Sequence, residues 1–433
     1  MKKICSSLAL ILAIAAMVFV TQNAFAGGGS ASSGKPTLSV MWMTNIQPNT
    51  LAHEEGFAKK YPQYGFNMVR YPSEDLKTQT RLAFQSGAAP DVSQTNAGSD
   101  FMEYVDNGFV LDITDEYFKR GWDKRTYPEF QQANSKNGRV YGISFAGMHL
   151  WQTVYYNKTK LDAAGIKIPN KITIEDFVKV AAQVKASGMQ PIAFGDKDGW
   201  PAILMIGDYL LQASDPSLID RLNNGQAHWD TASETRAAVD AMVRLAQGGG
   251  FVPGWESQDH TAAIQSFVGG VSAMLYMGTW WSGNVEGGLE ALTFELGSFS
   301  LPLINSSSSI KGTQFWSDST IFINSKTKNV QAAYDFVDYL VSEDYARAQM
   351  KDSGTFTFNP TVNQHLDLAP IFMTEPLTMQ ASLPKMGYMD HAVPVPTIEV
   401  IKVELQKAMT GAESVDQALK NIEASHAAER TRR

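Results

Sequence analysis

The sequence predicts an α/β protein built as two lobes. Short β-rich runs alternate with helical patterns, no internal repeat with a period of about 20–50 residues is visible, and three loop-rich breaks interrupt the alternation. Such alternation implies mostly parallel sheets with helices on their faces. Three breaks fit two lobes that exchange the chain more than once better than two beads on a string. The 433 residues, 44% apolar and 18% charged, supply a core of ordinary size and exclude disorder as a description of the whole chain. Acidic residues outnumber basic ones 44 to 36, for a net charge of −8. That balance argues against nonspecific nucleic-acid binding and against a polybasic membrane anchor.

At the N-terminus, Met1-Lys2-Lys3 precedes an uncharged apolar run from Leu8 to Val20, and Ala24-Phe25-Ala26 supplies small residues two apart. This reads as a secretory signal peptide (residues 1–26), cut near Ala26, because the run is well short of the ~20 residues that cross a bilayer. Cleavage would delete the only cysteine, Cys5, so disulfides, Cys-ligated zinc and thiol catalysis fall away. Cys5 also precedes the apolar run, whereas a lipoprotein carries its lipidated cysteine just after it. A soluble periplasmic product is expected. Residues 27–36 read as a flexible leader.

Thr37–Met43, Asn67–Tyr71 and Asp91–Thr95 read as strands from their apolar and β-branched content. Ser73 is positioned to cap a helix over Glu74–Ser86, which Gly87 ends. Val154–Tyr156 is a further strand. Thr173 with Asp176 forms a capping box opening a helix over Ile174–Ala186, and Pro191–Gly195 returns as a strand. Ala273–Met277 and Ser319–Asn324 complete the strands. One helix is expected over Val330–Met350, and Ser414 with Gln417 caps a last one over Val415–Ala424. Residues 425–433 read as a frayed tail. The loop-rich breaks are Gly142–Gly147, Asn305–Gly312 and Asp352–Pro360.

The common fingerprints of chemistry are missing. There is no GxSxG, HExxH, GxxxxGK[ST] or GxGxxG, and the seven histidines include no i, i+4 pair. No metal and no cofactor is expected. Tryptophan is what stands out: nine occur, several at strand-to-loop transitions beside small or polar residues, as in VMWMTN, GDKDGWPA, MGTWWSGN and TQFWSDS. An indole at a loop mouth suits a ligand with an apolar face and a polar edge, which describes a sugar. Its C–H face packs on the ring, contributing on the order of 1–2 kcal/mol. Its hydroxyls need Asp, Asn and Arg partners, and a pocket built for them is left unsatisfied by the wrong ligand.

GRVYGISFAGMHLWQTVYYNKTKLDAAGI (138–166) and KITIEDFVKVAAQVKASGMQPIAFGDKDGWPA (171–202) resemble the central block of the periplasmic solute-binding proteins of ABC importers, the maltose-binding-protein-like sugar-binding family. GAAPDVSQTNAG (87–98), FVGGVSAMLYMGTWW (267–281), SDSTIFINSKTKNVQAAYDFVDYLVSEDYA (317–346) and TGAESVDQALKNIEA (410–424) match the same family in the same order. The resemblance implies two lobes, each a mixed, mostly parallel sheet flanked by helices, with the ligand cleft between them. It places 37–147 plus 318–354 in lobe one, and 148–317 plus 355–424 in lobe two. It implies a non-catalytic receptor for a mono- or oligosaccharide that delivers it to membrane permease subunits, acts as a monomer and binds no nucleic acid. An exported glycoside hydrolase using a carboxylate pair, or a sugar sensor for a membrane kinase, are the alternatives.

Within that resemblance Trp280 occupies the family's G-x-W position and is the first candidate for stacking on sugar. Trp281 beside it is a candidate with core packing as the rival role. Asp198 and Trp200 follow the PIAFG strand as acceptor and ring platform. Asn96 follows the PDV strand, and Trp42 and Asn45 follow the first strand. His149 and Trp151 flank the first crossing between lobes, Trp316 and Asp318 the second, and Phe356 the third, with structural roles as their rivals.

Overall fold

The computed structural model describes residues 34–43, 56–145, 153–169, 171–278, 281, 285, 289–315, 319–353, 357–368 and 382–432. The first lobe opens with β1 (Thr37–Met43), β2 (Gly65–Tyr71), α1 (Ser73–Ser86), β3 (Val92–Thr95), α2 (Ser99–Asp106) and β4 (Gly142–Ser144). β1 is apolar on both faces from Val40 to Met43, as a central strand must be. It pairs in parallel with β2 and β3, from Thr37↔Gly65 to Met43↔Tyr71 on one side and Val40↔Val92 on the other. α1 buries Leu76, Thr80 and Phe84 at spacings of four, and Gly87 ends it in the left-handed region (φ 74°). Ser73 is the first helical residue rather than the cap. Pro72 holds the cap position, without a side-chain hydrogen bond.

The second lobe follows with β5 (Thr153–Asn157), α3 (Ile174–Ala186), β6 (Gln190–Ala193), α4 (Trp200–Ala213), α5 (Ser233–Gln247), α6 (His260–Val268), β7 (Ser272–Tyr276), β8 (Leu296–Ser300) and β9 (Thr313–Phe315). The capping box opens α3 as expected: Thr173 Oγ1 accepts from the Asp176 N–H at 3.2 Å. α4 is buried on every side from Pro201 to Gln212, which fits a helix enclosed between the sheet and other helices. It starts at Gly199 (φ 75°), where a Cβ would lie 2.7 Å from Lys402 Cβ, so only glycine fits.

The chain then returns to the first lobe as β10 (Thr320–Ile323), α7 (Val330–Leu340) and α8 (Glu343–Ser353), and ends in the second as β11 (Lys385–Gly387), α9 (Val395–Thr410) and α10 (Val415–Arg432). The sheet orders are β2-β1-β3-β10-β4 and β8-β5-β7-β6, with β9 and β11 pairing separately in parallel. Both sheets are mixed. β10 runs antiparallel to β3 and β4, and β5 antiparallel to β7 and β8, so parallel pairing is a smaller share than the sequence reading anticipated. The reason is topological: strands that enter from the other lobe arrive from the cleft side and run the opposite way.

Three expectations need correction. The single helix over Val330–Met350 is two, broken at Val341–Ser342, because the Ser342 hydroxyl accepts from the Tyr345 N–H at 3.3 Å and starts a new N-terminus. The frayed tail at 425–433 is instead the last part of α10, helical to Arg432. His426 is fully buried there. Its Nδ1 accepts from Trp229 Nε1 at 2.9 Å, which leaves Nε2 to donate to Asn223 Oδ1 at 3.0 Å. Arg430 pairs with Glu423 and donates to the Leu222 carbonyl at 2.9 Å. Finally, residues 357–368, read as part of lobe two, pack against the first lobe. Phe358 and Val362 are buried in one cluster with Tyr345 and Met350, and Asn363 donates to the Tyr127 hydroxyl at 3.0 Å.

Candidate functional site

The carboxyl ends of β1 and β3 and the amino end of β10 lie together, since Thr95 pairs with Thr320. In the other sheet the carboxyl ends of β6 and β7 meet the amino end of β5, since Val154 pairs with Tyr276 and Ala193 with Leu275. A cleft of about 310 Å³ opens between the lobes, lined by Lys77, Arg81, Thr95 and Tyr104 from the first lobe and by Asp198, Glu399 and Lys402 from the second. Strand ends where the connections diverge are where open α/β sheets hold ligands.

Each lining residue has a local cause. Lys77 and Arg81 lie four apart on the flank of α1 beside its buried stripe, and Thr95 is the last residue of β3. Asp198 projects from the turn that Gly199 makes possible, against α9. Glu399 and Lys402 stand three apart on the exposed face of α9, whose other face buries Ile398, Ile401 and Leu405. The cleft carries both signs of charge. Arg81 Nη2 lies 3.1 Å from Glu103, and Lys402 Nζ lies 2.7 Å from Glu399. Just behind them burial pushes the Asp390 carboxyl up, opposed by Lys402 of its own lobe and Lys77 of the other. Two residues before Asp198, the fully buried Asp196 accepts from the Ala202 N–H at 2.8 Å, at the start of α4. Burial pushes its carboxyl up to about 7, with the Ala202 N–H and Gln406 pulling the other way.

Of the sequence-derived candidates, Asp198 lines the cleft. Asn96, half-buried, directly follows the lining Thr95. Trp200 is half-buried in the first turn of α4, packed with Leu204 and Tyr388 and edge-on to His260, with ring centroids 5.1 Å apart. Trp42 and Trp281 are corrected from ligand walls to packing residues, because neither ring offers a face to solvent. Trp42 is 0% exposed, 4.8 Å from the ring of Phe145, and Trp281 is 1% exposed, 5.4 Å from that of Tyr155. Trp280, Asn45, His149, Trp151, Trp316, Asp318 and Phe356 lie outside the described residues.

Sequence reasoning missed Lys77, Arg81, Tyr104, Glu399 and Lys402. Their i, i+3 and i, i+4 spacings were visible but are those of any solvated helix face, and nothing local says that α1 and α9 look at each other. Among the described residues no group of three or more His, Cys, Asp or Glu is placed to hold a metal, and no helix is long and apolar enough to cross a membrane.

A family model described as bacterial extracellular solute-binding protein matches residues 55–377. The chain is 25% identical over 303 residues to a multiple sugar-binding protein of Streptococcus mutans, covering 68% of this chain and 67% of that one. A chain solved in work on xylan utilization by the thermophilic bacterium Caldanaerobius polysaccharolyticus superposes with a TM-score of 0.78 at 18% identity, covering 90% of this chain and 99% of the other. A chitin oligosaccharide binding protein superposes with a TM-score of 0.76 at 19% identity, covering 91% and 99%. The two superpositions show that the fold is the two-lobed α/β arrangement with a cleft between the lobes.

Proposed function

The chain belongs to the bacterial extracellular solute-binding proteins, and from that premise we propose that it is an exported receptor which binds a mono- or oligosaccharide between its lobes and presents it to the permease subunits of an ABC importer. The observation that carries this reading is the cleft itself, to which both lobes contribute donors and acceptors. Lys77 and Arg81 donate, Asp198 and Glu399 accept, and the hydroxyls of Thr95 and Tyr104 do both. Alternating groups of this kind match a ring of hydroxyls, each of which donates and accepts in turn. The family resemblance supports Trp280 as the stacking ring, with Asn96, Trp200, Asn45, Trp316 and Asp318 along the same strand ends.

Binding then drives closure. A ligand favours the closed form only through contacts it lacks in the open form. Shifting the population from mostly open to mostly closed takes about 5 kcal/mol of differential affinity, which several buried hydroxyl bonds and a stacked ring supply. The closed shape is what the permease reads, and the sugar is released unchanged. Signal-peptide cleavage near Ala26 and a monomeric state belong to the same reading.

The test is a panel of mono- and oligosaccharides added to the pure protein. A matching sugar raises the thermal midpoint, shifts tryptophan emission and is recovered intact by chromatography. Trp280→Ala weakens affinity at least tenfold and leaves the ligand-free midpoint unchanged. Recovery of shortened products would make the protein a glycoside hydrolase, and a panel without any midpoint shift would end the sugar reading.

A further inference from the structure

Two side chains without exposure, one in each lobe, each tie two strands together. In the first lobe Gln94 of β3 accepts the Met43 N–H through Oε1 at 3.0 Å and donates from Nε2 to Ser319 Oγ at 2.8 Å. Met43 ends β1, two residues before Asn45, and Ser319 stands between Asp318 and β10. In the second lobe Asp208 of α4 accepts from the Tyr276 hydroxyl at 2.7 Å and from Gln314 Nε2 at 2.8 Å. Tyr276 ends β7, four residues before Trp280, and Gln314 is the middle residue of β9, two before Trp316. The backbone makes room for this contact, since a Cβ on Gly207 would lie 2.3 Å from Gln314 Oε1.

We propose that Gln94 and Asp208 are positioning residues for the cleft between the lobes: each fixes the relative placement of the two strands it joins, β1 with the chain entering β10 and β7 with β9. A core gains little from such groups, because a buried polar side chain loses its hydration and a well-packed apolar one often serves stability as well. What a hydrogen bond adds is direction. It fails within a few tenths of an ångström, so it specifies where a strand end stops and which way the next residues leave. Neither side chain lines the cleft; both act through the segments they hold. The affinity arm of the test rests on the sugar-receptor reading, and the exchange arm does not.

The variants are Gln94→Leu and Asp208→Ala, with Leu245→Ala in α5, which makes no hydrogen bond through its side chain, as a control for loss of buried volume in the second lobe. Amide hydrogen exchange of the ligand-free protein is followed in peptides spanning 40–48, 274–284 and 312–322. Gln94→Leu speeds exchange at least tenfold in the first and third, and Asp208→Ala in the second and third, while the control leaves all three at the wild-type rate. With the saccharide the wild type binds best, each clamp variant binds at least fivefold more weakly and Leu245→Ala binds normally. Should Asp208→Ala not fold, Tyr276→Phe, which deletes one bond of the same clamp, gives its local pattern, and Ser319→Ala does the same for Gln94. Unchanged exchange in these peptides, or equal acceleration in the control, overturns the proposal. If no saccharide shifts the wild-type midpoint, the sugar reading falls and the exchange pattern alone decides the clamps.

Discussion

The two lobes reach the same end by different packing. The first holds its sheet with rings: Phe336 sits edge-on to Phe57 (5.2 Å between centroids), 5.3 Å from Phe66 and 5.9 Å from Trp42, within one apolar cluster. The second wraps its sheet in helices, with α3, α4, α5, α9 and α10 contributing mainly aliphatic side chains to a separate cluster. The first cluster also crosses over, through Tyr155, Leu275 and Trp281 on the second sheet. A few large rings concentrate stability in few positions, whereas many aliphatic contacts distribute it. The first lobe is therefore the one that a single truncation should damage most.

Phe336→Ala tests that directly. Loss of a fully buried ring at the centre of the cluster is expected to cost about 4 kcal/mol, read as a fall in the denaturant midpoint with an unchanged slope. A loss below 1 kcal/mol would mean that the rings share the load as evenly as the aliphatics do. A chain stopped after Ala424 tests the other side. It strips the second lobe of His426 and Arg430 and leaves the Trp229 donor and Asn223 without their partner, for an expected cost of about 3 kcal/mol. Calorimetry that shows only the second-lobe transition moving supports separate packing, and a joint shift would show that the shared cluster couples the lobes.

Asp196→Asn gives an effect confined to pH. The folded protein keeps the Asp196 proton up to about pH 7, while the unfolded chain releases it at about pH 4. The folded pKa is the higher one, so the stability this group provides is full below the unfolded value and is lost as pH rises through 7. The wild type should thus lose stability relative to Asp196→Asn as pH rises from 4 to 8, in urea melts across that range. Parallel pH profiles would contradict it.

How much was legible depended on whether the cause was local. α3 was read from Ile174 to Ala186 because its cap, acidic first turn and apolar stripe all lie within the segment. The break between α7 and α8 carries such a signal too, Ser342 followed by Glu343 and Asp344, but the apolar spacing running through it dominated. Trp42 misled for the opposite reason. Its neighbours in sequence are polar on one side, while the partners that bury it, Phe145 and Phe336, come from distant segments. The same holds for the cleft: Asp198 was marked by a loop, whereas Lys77 and Lys402 acquire meaning only when α1 and α9 are brought across from each other. His426, as a lone histidine near the terminus, carried no pattern at all.

That late helix has a bearing on how the molecule is made. The strand opening the second lobe begins at Thr153, but its indole at Trp229 and its amide at Asn223 wait for a histidine at 426. During synthesis that pairing cannot form until residue 426 has been added, 197 and 203 residues after the two groups it joins.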